Sequence, residues 1–186
     1  MRTFIALELS NEVREELSRL QEELKKVDAD IKWGKPDNIH LTLKFLGNVE
    51  EAKIAEIKKL LDNISSREKP FETNLFKLGA FPDLNYPRVI WVGIDKGCSE
   101  IEKIAGLVET ELEKINFSRE KRPFSAHLTL GRVKSGRNKA ELKEKVSSLQ
   151  VQPKSSVINN ITLFQSTLTP KGPIYTSLYA ARFTGG

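Results

Sequence analysis

The two histidines of the chain are the residues whose type and spacing point most directly to chemistry. Both begin the same tetrapeptide, His40-Leu41-Thr42-Leu43 and His127-Leu128-Thr129-Leu130. A chance repeat of the last three residues has a probability of roughly one in a thousand at ordinary residue frequencies. Side chains alternate between the two faces of a strand, so each histidine shares a face with its threonine while the leucines face the core. The repeat therefore predicts two matched polar pairs.

Two imidazoles that face each other across a groove suit a displacement at phosphorus. With ordinary pKa values near ~6.5, a neutral histidine can take a proton from the nucleophile while a protonated one gives a proton to the leaving oxygen. The hydroxyls of Thr42 and Thr129 would donate hydrogen bonds to the non-bridging phosphate oxygens. We therefore predict His40 and His127 as catalytic residues, with the two threonines binding phosphate. The structural alternative is a pair of half-buried sheet histidines beside threonines that favour strands.

A metal centre does not fit the residue types near these motifs. The chain has one cysteine, Cys98, and two histidines, too few for a Cys/His zinc site. The acid closest in sequence to either histidine is Asp37. Ser-His-Asp chemistry would use a single histidine and leave the repeat without a purpose. We therefore expect no metal and no cofactor.

Length and composition favour one compact unit. The chain has 186 residues, 39% of them hydrophobic and 30% charged, with no apolar run near the ~20 residues of a membrane-spanning helix. We expect residues 1–186 to form a single two-lobed domain. Nothing at the start reads as a secretion signal, so we expect a cytoplasmic protein without membrane contact. The net charge of +5 favours a phosphate-bearing partner.

Hydrophobic periodicity predicts strands and helices that alternate along the chain. The order strand, helix, strand with histidine, helix occurs twice, which indicates an internal duplication. With hairpin links as well as crossovers, the fold class is predicted as α+β, with two pseudo-symmetric lobes of mostly antiparallel sheet. The predicted strands cover residues 2–9, 31–33, 39–46, 71–81, 88–94, 126–133, 155–166 and 175–183. The predicted helices begin near Ser10, Ala52, Ile101 and Ala140.

The doubled motif resembles that of the two-histidine phosphoesterase superfamily. Its flanks are similar to those of the RNA 2′,3′-cyclic phosphodiesterases, also called 2′-5′ RNA ligases, and they extend over nearly the whole chain. The matching flanks are MRTFIA at 1–6, NIHLTLKFLG at 38–47, RVIWVG at 88–93, LFQS at 163–166 and TPKGPIY at 169–175. By this resemblance the active-site groove lies between the two lobes, with one histidine motif on each.

The resemblance also implies an activity. Members of this family open a terminal RNA 2′,3′-cyclic phosphate to the 2′-phosphate, and some join tRNA half-molecules through a 2′-5′ bond. We therefore expect a monomeric hydrolase acting on RNA ends, with tRNA among the candidate substrates, His40 as acid and His127 as base. A 2′-5′ RNA ligase and a non-catalytic RNA- or nucleotide-binding module are the alternatives.

Basic residues concentrate around the second motif. Residues 116–139 contain seven basic side chains and one acidic one. This charge could attract an RNA backbone, and Arg119, Lys121 and Arg122 are predicted to bind RNA, with a solvated loop as the alternative.

Three further residues are candidates for substrate contacts. Arg132 is five residues after His127, where a regular strand would turn it away, although the family resemblance places an arginine there. A role for Arg132 in binding phosphate therefore requires a bulge or a strand end. Phe45 holds the equivalent place after His40. Phe45 and Phe124 could each stack on a base, with core packing as the alternative.

Overall fold

The computed structural model describes residues 1–186 as nine strands and four α-helices. The first half contains β1 (Arg2–Leu7), α1 (Asn11–Lys25), β2 (Ile31–Trp33), a 3₁₀ turn (Pro36–Asn38), β3 (Leu41–Asn48) and α2 (Glu51–Ser65). The middle contains β4 (Phe71–Phe81), β5 (Val89–Ile94), α3 (Cys98–Glu113), β6 (His127–Val133) and α4 (Lys139–Ser148). The chain ends with β7 (Ser155–Ile158), β8 (Asn160–Thr169) and β9 (Gly172–Arg182).

The strands form two sheets in which all neighbours are antiparallel. The order is β3-β1-β8-β9 in the first sheet and β2-β6-β5-β4-β7 in the second. Each strand that carries a histidine motif pairs with a neighbour in its own half of the chain, β3 with β1 and β6 with β5. The predicted α+β fold class with mostly antiparallel sheets is confirmed.

The helix α1 begins where the sequence predicts. The Ser10 hydroxyl accepts a hydrogen bond from the Val13 backbone N–H, which satisfies one of the free donors at the helix start. The apolar stripe of Val13, Leu17, Leu20 and Leu24 is buried, because residues three and four apart share one side of a helix. None of the helices is both long enough and apolar enough to cross a membrane.

One hydrophobic core of 36 residues joins both sheets and all four helices. The first sheet also carries a smaller apolar cluster of Phe4, Ala6 and Phe164, against which Tyr175 packs. Ile5, the neighbour of Phe4 and Ala6 on β1, belongs to the large core. Because side chains alternate along a strand, the small cluster lies on the opposite face of this sheet.

The strand predicted at 155–166 is divided in the structure. β7 pairs with β4 in the second sheet, whereas β8 pairs with β1 in the first. Asn159, between them, accepts a hydrogen bond through its carbonyl from the N–H of Phe183. Hydrophobic alternation is similar on both sides of Asn159, so the sequence pattern does not reveal that the chain changes sheets there.

Candidate active site

His40 lies immediately before β3, among the aromatic rings of the small cluster. Its ring centroid is 4.4 Å from that of Phe164, 5.9 Å from Tyr175 and 6.3 Å from Phe4. The Nδ1 atom is 3.1 Å from the carbonyl oxygen of Asn38. Nε2 has no hydrogen-bond partner in the protein. A donor at Nδ1 leaves Nε2 to exchange a proton with a ligand.

His127, the first residue of β6, repeats this arrangement. Its Nδ1 is 2.8 Å from the carbonyl oxygen of Ser125, again two residues earlier in the chain. Its ring meets that of Phe81 edge to face, with centroids 5.0 Å apart. Nε2 of His127 is also without a partner in the protein. The backbone thus orients both imidazoles in the same way.

The two threonines follow the predicted alternation. Thr42 and Thr129 are half-buried, while the leucines on either side of each are buried. Neither threonine hydroxyl makes a hydrogen bond within the protein, so both can serve a ligand. No three side chains of His, Cys, Asp or Glu come together in an arrangement that could hold a metal ion.

A β-bulge brings Arg132 to the face of His127. In the β5–β6 pairing Trp91 lies opposite Thr129, and Ile90 lies opposite Gly131, which leaves Leu130 as the extra residue. An extra residue shifts the alternation of the strand beyond it. Arg132 therefore returns to the face that carries His127 and Thr129, as a role in binding phosphate requires.

The first motif contains a bulge at the same place. Ala6 lies opposite Thr42 and Ile5 opposite Lys44, so Leu43 is the extra residue of β3. Phe45 consequently lies on the face of His40 and Thr42, where its side chain is 65% exposed. Arg2, Phe4, Phe45, Ser166 and Tyr175 are among the residues that line a cleft of about 380 Å³ on this face.

The charge of Arg132, on one sheet, acts on Tyr175, on the other. Burial raises the pKa of the Tyr175 phenol, and the positive charges of Arg2 and Arg132 oppose that rise. Arg132 belongs to β6 in the second sheet, and Tyr175 belongs to β9 in the first. The charge of Arg132 therefore acts on a residue of the aromatic cluster that surrounds His40.

The environment of His40 lowers the pKa of its imidazole. Burial is the largest cause, because it penalises the charged form, and the positive charge of Arg14 is the second. The carbonyl of Asn38 and the negative charge of Glu8 act in the opposite direction. Glu8 is 32 residues from His40 in sequence, so local spacing could not identify it as an acid that acts on this histidine.

Arg14, on α1, holds the segment that leads into His40. One nitrogen of its guanidinium donates hydrogen bonds to the carbonyl oxygens of Pro36, Asp37 and Ile39, at 3.0, 2.9 and 3.1 Å. This residue was not predicted from the sequence. Arginine on an amphipathic helix normally faces solvent, and no local pattern indicates three carbonyl contacts more than twenty residues away.

Gln21, two turns further along α1, holds the second motif. Its side-chain amide donates to the carbonyl oxygens of Gly34 and Leu130, at 2.7 and 2.9 Å. The Leu130 carbonyl, at the bulge, also accepts from the N–H of Gly34. Gln21 is 2% exposed. Because Gln21 lies beside Leu17, Leu20 and Leu24 on the apolar stripe, the sequence could have indicated that this polar side chain is buried and hydrogen-bonded.

Lys44 anchors the basic segment. The side chain is 4% exposed, and its ammonium group donates to both carboxylate oxygens of Glu109 on α3 and to the carbonyl oxygen of Ser118. Glu109 also accepts a hydrogen bond from the N–H of Glu120. This buried ion pair therefore joins β3 to α3 and fixes the loop that precedes the second motif.

The predicted RNA-binding residues differ in their surroundings. Arg119 lies 3.6 Å from a carboxylate oxygen of Glu113, so an acid partly neutralises it. Lys121 and Arg122 are exposed and have no acidic partner within ion-pair distance. Phe124 is half-buried and packs against the large core, unlike the exposed ring of Phe45.

The second sheet also has a group of aromatic rings beside His127. The indole of Trp91 lies against Gly79 and Gly93, and a Cβ at Gly79 would overlap the ring. The ring of Phe81 lies 5.2 Å from Trp91 and packs on His127. Trp91 lies on the face of the histidine because Ile90 and Val92, on either side of it, occupy the core.

Comparison with known proteins identifies the family. The profile described as LigT like Phosphoesterase matches residues 7–91 and a second time residues 92–175, so that each match contains one histidine motif. The chain belongs to the LigT-like phosphoesterase family. This confirms the resemblance inferred from the doubled motif and its flanks.

Individual relatives match the chain over nearly its full length. A protein of Methanothermobacter thermautotrophicus named RNA 2′,3′-cyclic phosphodiesterase is 37% identical over 183 residues, 98% of each chain. Among solved structures, TT0787 of Thermus thermophilus has a TM-score of 0.82 and 27% identity, covering 100% of this chain and 99% of its own. E. coli LigT complexed with 3′-AMP has a TM-score of 0.78, 24% identity and 98% coverage of both chains, a similarity of fold.

Proposed function

We propose that the protein hydrolyses a terminal RNA 2′,3′-cyclic phosphate to a 2′-phosphate, with His40 and His127 as its acid and base. The observation that carries the proposal is the matched geometry of the two motifs. Each histidine has Nδ1 at a backbone carbonyl and Nε2 free, with an unpartnered threonine hydroxyl on the same face. The relative from Methanothermobacter thermautotrophicus named RNA 2′,3′-cyclic phosphodiesterase supports the same activity.

The reaction requires one proton to leave a water molecule and one to reach the 3′ oxygen. The base takes the water proton while the water oxygen bonds to phosphorus. The bond from phosphorus to the 3′ oxygen then breaks, and the acid protonates that oxygen. The products are a 2′-phosphate and a 3′ hydroxyl. The hydroxyls of Thr42 and Thr129 and the guanidinium of Arg132 stabilise the charge on the non-bridging oxygens.

We assign His40 as the acid and His127 as the base, as the family resemblance implies. The lowered pKa of His40 in the free protein favours its neutral form and so acts against this assignment. A bound phosphodiester anion beside the imidazole acts in the other direction, because an opposite charge favours the charged form. The assignment therefore requires the substrate to raise the pKa of His40.

The deciding experiment measures turnover of a cyclic-phosphate oligonucleotide and of a 2′,3′-cyclic mononucleotide. We expect His40→Ala and His127→Ala each to reduce kcat by at least ~10²-fold, the loss typical of a proton-transfer group. Circular dichroism should show the fold of both variants unchanged, and EDTA should leave wild-type turnover unchanged. Tight binding of the oligonucleotide without turnover would instead indicate a non-catalytic binding module.

A substrate with an acidic leaving group separates the two roles. If the group that replaces the 3′ oxygen needs no proton, the variant without the acid should regain most of its activity, and the variant without the base should not. We expect His40→Ala to regain activity and His127→Ala to stay inactive. Recovery of His127→Ala alone would exchange the roles, and recovery of neither would make both histidines phosphate-binding groups.

A further inference from the structure

A second basic and aromatic surface lies at one end of the second sheet, outside the groove residues described above. It is formed by the loop from Pro82 to Arg88, between β4 and β5, and by the start of α4. Tyr86 is 70% exposed, and the ammonium group of Lys139 lies 4.3 Å from the centroid of its ring. Lys143 donates a hydrogen bond to the side chain of Asn85. Between the loop and the helix is a cleft of about 430 Å³.

This Tyr86 surface is connected to the position of Arg132 through backbone pairing. Val89 lies opposite Arg132 in the β5–β6 pairing, and the N–H of Val133 donates to the carbonyl oxygen of Arg88. Tyr86 precedes Val89 by three residues, a separation of at most about 11 Å along the chain. A ligand with one phosphate at Arg132 can therefore extend to Tyr86.

Hydrogen bonds to the backbone hold the loop from Pro82 to Arg88 in place, and the ring of Tyr86 takes no part in them. The Asp83 carboxylate accepts hydrogen bonds from the backbone N–H groups of Asn85 and Tyr86, at 2.8 and 3.0 Å. The N–H of Arg88 donates to the carbonyl oxygen of Phe81, which closes the loop at its base. The acid of this loop is thus engaged by the backbone, while Lys139 and Lys143 provide positive charge beside the cleft.

We propose that this surface binds the RNA nucleotides that precede the cyclic phosphate, with a base stacked on Tyr86 and backbone phosphates at Lys139 and Lys143. Single-stranded RNA is held in this way, by aromatic rings that stack on bases and by cations that follow the phosphates. The inference rests on the proposed function and adds a binding site for RNA beyond its terminal nucleotide. It is separate from the loop with Lys121 and Arg122.

The test compares two substrates, a 2′,3′-cyclic mononucleotide and an oligonucleotide that ends in the same group. Tyr86→Ala should lower kcat/KM for the oligonucleotide by at least about fivefold, the lower end for one lost stacked base, and leave the mononucleotide unchanged. Replacing Lys139 and Lys143 together by Glu should also flatten the salt dependence of oligonucleotide binding. The control replaces Lys58 and Lys59 of α2 by Glu, the same change of charge on a helix that packs against the first sheet.

Three results would overturn the inference. They are unchanged oligonucleotide kinetics in Tyr86→Ala, an equal loss for both substrates, and an equal loss in the Lys58 and Lys59 control. The proposed function is tested separately, because it fails if the wild-type protein turns over neither substrate. In that case oligonucleotide affinity, measured by fluorescence anisotropy, still decides the surface. An affinity that Tyr86→Ala does not weaken rejects it.

Discussion

Leu43 and Leu130 are the extra residues of two β-bulges, and each follows the histidine of its motif by three positions. The duplication therefore preserves a backbone irregularity as well as four side chains. Beyond the bulges the halves differ, since Phe45 follows one and Arg132 follows the other. The first motif thus has an aromatic ring at the position where the second has a guanidinium.

Replacing Arg14 by Gln should raise the pKa of His40 towards its usual value. The positive charge of Arg14 is the second cause of the lowering, after burial, so its loss should restore part of the shift. With two histidines in the chain, NMR titration assigns the signals by comparison with His127→Ala. Arg14→Lys is the control, because it keeps the charge while losing the guanidinium contacts. A His40 pKa that is the same in Arg14→Gln as in the wild type would contradict this account.

Replacing Gln21 by Leu should destabilise the protein and loosen the second motif. The change removes two buried hydrogen bonds, so we expect the free energy of unfolding to fall by about 1–3 kcal/mol in urea titrations. KM for a cyclic mononucleotide should rise, because the Leu130 bulge positions Arg132. Gln150→Leu, the same change at an exposed position, should do neither. A stable variant with wild-type KM would show that the bulge needs no support from α1.

Replacing Lys44 by Met should cost more stability than removing a surface cation. The change leaves Glu109 without its partner in a site where the lysine is 4% exposed, and the expected loss is about 3 kcal/mol or more. The double variant with Glu109→Leu should recover part of the loss. Lys25→Met, which breaks the exposed pair with Glu22, should change the free energy of unfolding by less than about 1 kcal/mol. Equal losses in both single variants would argue against the anchoring role.

Reversing Lys121 and Arg122 to Glu should weaken binding of RNA and reduce its dependence on salt. Both side chains are exposed without an acidic partner, so they can neutralise phosphates and release counterions. Turnover of a cyclic mononucleotide should be spared, because it has no further phosphates to bind. Arg119 is left intact because Glu113 already offsets its charge. An unchanged RNA affinity would identify the segment as a solvated loop.

Local patterns in the sequence predicted much of this architecture. The Ser10 cap, the stripe of α1 and the alternation of His40 with Thr42 each depend on residues close together in the chain. The bulge at Leu130 could not be predicted in the same way, because it is a property of pairing between β5 and β6. For Arg132 the strand pattern predicted that it could share a face with His127 only if a bulge or a strand end intervened. The structure contains that bulge.

The hydrogen bonds that α1 makes to distant backbone segments could not be predicted from local sequence patterns either. Arg14 and Gln21 bind backbone segments that precede one motif and end the other, over separations of 13 to 109 residues. The polar residue on the apolar stripe indicated that Gln21 has a buried partner. Nothing near it in the sequence identified that partner as the carbonyl of Leu130.

The position of α1 also bears on how the two halves can evolve. Arg14 and Gln21 are separated by two helical turns, about 10 Å, and each grips the backbone beside a different histidine. A helix that belongs to the first repeat thereby positions the backbone of both motifs. The two repeats therefore cannot be exchanged independently of each other. If recombination replaced the second half by that of a relative, the carbonyl at the Leu130 position would still have to accept the hydrogen bond from Gln21.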